Sequence, residues 1–117
     1  MSSTLITWAG RLALLGVFAV ALAGAIDPHH NAAASAPPPD VVEHVGFGYL
    51  LTTLTILSLP RVSPWLIGCG FLALGAGFEV MQVFGLVSGT FQWQDLAANT
   101  GGVAAALVPL AIGRWRR

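Results

Sequence analysis

Charge is what this sequence has least of. Five basic and five acidic residues among 117, or 9%, compare with roughly a quarter charged in a soluble globular chain. None of the basic residues is lysine. So few charges could not clothe a water-soluble domain of 12.2 kDa, so lipid must surround most of the surface. No basic stretch interleaves with aromatic residues, which argues against a nucleic-acid partner. The one cysteine, Cys69, lies in an apolar run. It excludes an intrachain disulfide and reads as a small apolar filler. No internal repeat is visible.

Apolar residues fill the gap. They make up 56% of the chain, and mean hydropathy is +0.77. A spanning helix needs about 20 apolar residues, because the hydrocarbon layer is about 30 Å thick and each residue rises about 1.5 Å. Four stretches meet this, at 5–26, 41–59, 62–86 and 96–115. Between them stand breakers: Asp27-Pro28 through Pro37-Pro38-Pro39, then Pro60 to Pro64, then Ser88-Gly89-Thr90. The expected fold is all-α, an integral membrane four-helix bundle forming one transmembrane domain over 1–117. In the first span, Ala21-Leu22-Ala23 also has the look of a signal-peptidase site. We expect the span to be retained, with Arg11 snorkelling to the interface beside Trp8.

The arginines are sorted. Arg11, Arg61, Arg114, Arg116 and Arg117 fall near the N-terminus, in the second loop and at the C-terminus, and the first and third loops have no Arg or Lys. The positive-inside rule then puts both termini in the cytoplasm. The acids sort oppositely. Asp27 and Asp40 flank the first outer loop, Glu43 and His44 start the second helix, and Asp95 opens the fourth with Asn99 one turn deeper. Glu79 and Gln82 lie toward the outer end of the third, Glu79 about seven residues or roughly 10 Å from it.

Helical spacing pairs Asp40 with His44, Glu79 with Gln82, and Asp95 with Asn99. Gly75 and Gly68 extend the Glu79 face; Gly102 and Ala106 extend the Asp95 face. Small residues let membrane helices approach closely, so these faces should point at other helices. A carboxylate in hydrocarbon costs about 2.5–3.5 kcal/mol, so Glu79 must find donors, a cation or a proton. The bland reading is interhelical glue, Gln82 to Asn99 or His44 to Glu79. Asp40, His44, Glu79, Gln82, Asp95 and Asn99 at one depth exceed what glue requires, and they are the candidate ligand-binding cluster. A divalent cation on Asp40, Glu43 and His44 is a lesser candidate, since acids at a helix start also answer the helix dipole. No other cofactor is expected. His29 and His30 read as solvated loop residues.

These motifs, Asp40-Val-Val-Glu-His44, Glu79-Val-Met-Gln82 and Asp95-Leu-Ala-Ala-Asn99-Thr-Gly101, resemble the VanZ-like family of small bacterial membrane proteins. The family pattern runs D-K-x-x-H, E-x-x-Q, an arginine-bearing loop, then D-x-x-x-N-x-x-G. The resemblance covers residue 40 to about residue 102 and implies a role in the cell envelope, without specifying a reaction. Three positions depart from it. Val41 replaces the lysine, Gly48 stands where an aromatic is expected (Tyr49 follows it), and no arginine lies between Gln82 and Asp95. If that arginine grips a phosphate or carboxylate in relatives, this chain has lost the grip. Two functions follow: an outer site binding or processing a lipid-linked or glycan ligand, or a non-catalytic subunit docking its glycine-rich faces on a larger membrane complex. Whether the chain is an enzyme stays open. Proton or ion passage past Glu79 is disfavoured, because no polar path continues toward the cytoplasm.

Overall fold

A computed structural model describes residues 3–26, 37–87 and 92–115, with the side chains of 25, 26, 37–40 and 115 excluded. The described residues form four helices and no strand. They are α1 (Ser3–Ile26), α2 (Pro37–Ser58), α3 (Pro64–Val83) and α4 (Trp93–Trp115), of 24, 22, 20 and 23 residues. At about 1.5 Å per residue each reaches 30 Å or more, and all four are long and apolar enough to cross a membrane.

Helix ends differ from the expected spans for local reasons. Pro37-Pro38-Pro39 does not break the chain but opens α2. The first turn of a helix has no intrahelical use for its N–H groups, and a proline there forfeits nothing. Pro64 opens α3 in the same way. That helix stops at Val83 rather than 86 because Gly85 adopts φ 68°. In that left-handed conformation Gly85 N–H donates to the Gln82 carbonyl (3.1 Å), and Leu86 N–H donates to that of Met81 (2.9 Å). This is the Schellman closure. α4 begins three residues before the expected 96 and tolerates Pro109 within it. The Ser88-Gly89-Thr90 segment lies outside the described residues.

The packing departs from a symmetric bundle. α4 packs closely along α2, and α3 lies beside α4 while also touching α2; α1 packs mainly on α2. The core is therefore α2, α3 and α4, with α1 an outrigger. Buried residues on α4 recur at helical spacing as Asp95, Ala98, Gly102, Val103 and Ala106. The closest approach is α2 to α4. Gly48 and Gly102 face each other there, and a Cβ built on Gly48 would lie 3.5 Å from Gly102 Cα. A Cβ on Gly102 would strike the Val45 carbonyl and approach Tyr49 N to 2.8 Å. Farther along, Gly68 accommodates Leu107 and Val103, tying α3 to the last half of α4.

Large apolar side chains cover the outside, and polar residues share the interior with the apolar core. Leu12 and Leu66 are 69% and 67% exposed, whereas Thr52, Ser58, Glu79 and Asp95 are buried. A surface of leucine over a partly polar interior suits hydrocarbon, where apolar side chains gain nothing by hiding and polar groups must. At the end where α1 begins and α2 finishes, Arg11 Nε donates to the Ser58 carbonyl at 3.2 Å and its guanidinium lies 4.8 Å from the Trp8 ring centroid. A cation thus meets the negative end of α2. Gly10 lets α1 come close enough, since a Cβ there would sit 3.3 Å from Leu57 Cβ and from Ser58 Oγ.

Candidate functional site

At the opposite end of the bundle the polar residues converge. Asp95 is the third residue of α4, and its Oδ2 lies 3.4 Å from His44 Nε2 on α2. The carboxylate is largely buried while the imidazole is about one-third exposed. The pair therefore has an exposed side and a buried side. Glu79, 3% exposed, reaches across from α3, and its Oε2 accepts the Gln92 backbone N–H at 3.2 Å. Both Asp95 and His44 are within electrostatic range of Glu79. Three helices thus contribute one ionisable group each.

Small residues permit this convergence. Asn99 lies over Gly75 of α3, and a Cβ at Gly75 would stand 3.1 Å from the Asn99 amide nitrogen. On its other side, the Asn99 carbonyl would be 2.9 Å from a Cβ at Gly48. Asn99 is wedged between α3 and α2 by two missing side chains. Gln82, half-buried, sits one turn along α3 from Glu79. Of the expected cluster, His44, Glu79, Asp95 and Asn99 are gathered by the fold. Asp40 belongs to α2, but its side chain lies outside the described residues, as do Asp27, His29 and His30.

Two expectations need revision. Glu79 stands four residues before Val83, about 6 Å along the axis instead of 10 Å, because Gly85 ends α3 early. His44 meets Asp95, not Glu79, because the closest helix pair is α2 and α4. The suggested cation ligand Glu43 lines a shallow groove of about 210 Å³ along α2 with Gly46, Phe47 and Leu50. Asp40, the partner suggested for it with His44, has its side chain outside the described residues, and among those described no group of three His, Cys, Asp or Glu is placed to hold a metal ion.

One participant escaped the sequence reading: the backbone N–H of Gln92. Its signal was present, since Gln92 stands three residues before an acid at a helix start, where a cap is expected.

Chemically, an imidazole beside a fixed carboxylate can accept or donate a proton in a held orientation. The buried acids can also accept hydrogen bonds from a ligand's hydroxyl or amino groups. No family model, curated protein or solved structure matches the chain. Fold and site together define a class: an all-α chain of four helices able to cross a membrane, with an interhelical polar cluster at one end.

Proposed function

We propose that this chain is a VanZ-like multi-pass protein of the bacterial cytoplasmic membrane, its termini in the cytoplasm. Its polar cluster, on the extracytoplasmic side, binds or processes a lipid-linked or glycan ligand of the cell envelope. The observation that carries this reading is the His44–Asp95 pair, buried on one side and open on the other, beside the buried Glu79. Glue alone is a poor account of it. An interhelical polar contact is worth about 0.6–2 kcal/mol, while a buried acid must also bear the desolvation of its charged form. Asparagine or glutamine would join the same helices at lower cost.

The test compares wild type with Asp95→Asn after mild detergent extraction, using lipid and protein mass spectrometry. An envelope-derived lipid-linked or glycan species should accompany the wild type. It should fall at least about tenfold in the variant at equal abundance, the loss expected when the buried carboxylate that orients His44 is replaced. Equal ligand on both proteins would sink the site.

A second reading, the non-catalytic subunit, draws on different residues. Gly75 and Gly102 are occupied within the chain and are not available for docking, but Gly70 and Gly77 of α3 and Gly16 of α1 have nothing within 4 Å. Close helix docking needs such small residues. A protein partner of fixed stoichiometry, retained by Asp95→Asn and lost on Gly77→Leu, would favour this reading.

A further inference from the structure

The three acid-end groups differ in role. Gln92 is the residue at which α4 begins: its carbonyl accepts the Asp95 N–H (3.2 Å) and Leu96 N–H (3.4 Å), the first bonds of the helix. The N–H of a residue in that position has no partner within its own helix. An acid three residues on, where Asp95 stands, commonly folds back to accept it. Here that N–H is already taken, since it donates to Glu79 Oε2 of α3. Asp95 projects across to α2 instead and meets His44.

We propose that Glu79 is a positioning residue: it caps α4 from a neighbouring helix and so releases Asp95 to pair with His44. The division of labour follows from connectivity. Glu79 is 3% exposed and accepts its hydrogen bond from the backbone N–H of Gln92, inside the protein. His44 is the member of the trio open to the exterior, and Asp95 is the group that orients it. A ligand arriving from the exterior would meet His44 first. This rests on the reading of the His44–Asp95 pair as the site, and it changes what a substitution at Glu79 should do. Glutamine retains a carbonyl oxygen that can accept the Gln92 N–H; alanine retains nothing. Were Glu79 a ligand-holding or proton-carrying group, glutamine would be as damaging as alanine.

The experiment is a double-mutant cycle of His44→Ala and Asp95→Ala, measured by reversible unfolding in detergent micelles on the full chain. It is run in the wild-type, Glu79→Gln and Glu79→Ala backgrounds, with amide hydrogen exchange at Gln92 alongside. Coupling between His44 and Asp95 should alter the unfolding equilibrium by about threefold or more in wild type and in Glu79→Gln, and fall to about onefold in Glu79→Ala. Gln92 N–H should exchange slowly in the first two and about tenfold faster in the third. Undiminished coupling in Glu79→Ala, or a Glu79→Gln variant that behaves like Glu79→Ala, would overturn the proposal. If Glu79→Ala does not fold, the Glu79→Gln cycle and Gln92 exchange in wild type still decide. Unprotected Gln92 in wild type, or lost coupling in Glu79→Gln, refutes the cap. The two readings fail separately. Rescue by glutamine with no ligand on the wild type removes the site and leaves the cap; ligand lost from Asp95→Asn with full coupling in Glu79→Ala does the reverse.

Discussion

Gly101 and Gly102 are neighbours on α4, yet adding the same methyl group to each should have opposite effects. A Cβ on Gly101 meets nothing within 4 Å. Alanine there removes a helix-interior glycine, which should stabilise by about 0.5–1 kcal/mol. A Cβ on Gly102 would strike the Val45 carbonyl and lie 2.8 Å from Tyr49 N. Both obstacles are α2 backbone, so no side-chain rotation relieves the clash. The helices must part, by about 0.6 Å to restore ordinary contact at Tyr49 N and by more at Val45. A gap of 0.5–1 Å already forfeits about a quarter to a half of each dispersion contact across the seam. Overpacking of this kind costs about 1–3 kcal/mol. The gain from replacing a helical glycine is common to both, so the difference between the two variants is the overpacking cost, about 1–3 kcal/mol, or roughly 5- to 160-fold in the unfolding equilibrium. Reversible denaturation in mixed micelles, or steric trapping in bicelles, would measure it. Equal stability of Gly101→Ala and Gly102→Ala would refute the close α2–α4 seam and with it the wedging of Asn99.

At the other end, Arg11→Ala should loosen α1, which is held through α2. Loss of the Ser58 carbonyl bond and the Trp8 contact should cost about 1–2 kcal/mol. In a Cys69→Ala background, disulfide formation between Gly10→Cys and Leu57→Cys should slow accordingly, and an unchanged rate would count against the anchor. For orientation, an impermeant thiol reagent applied to intact cells, with access through any outer membrane secured, should modify Ser35→Cys and not Arg117→Cys. The reverse pattern would overturn the cytoplasmic placement of the termini.

Hydropathy and length determined the four helices, because a span in lipid must satisfy every backbone group internally and helix is the form a single apolar segment can take. The sorting of Arg11, Arg61 and Arg114 to one end and of His44, Glu79 and Asp95 to the other was likewise legible. An alternating chain of four helices carries each residue to a definite end. Two boundaries differ from the hydropathy spans but carry local signals: prolines as a helix start at Pro37, and Gly85 as a helix stop. What the sequence could not disclose was which helices touch. Small residues recur on every span, and glycines that face a neighbour (48, 75, 102) look the same along the chain as those that face open space (16, 70, 77). Only the tertiary structure decided that α2 and α4 form the tightest seam, that α1 stands outside the core, and that His44 meets Asp95. It also decided that Glu79 spends its hydrogen bond on the Gln92 backbone. The physical reason is that spacing along a helix specifies a face, while the partner of that face depends on how closely two backbones can approach, and that distance is a property of both helices together.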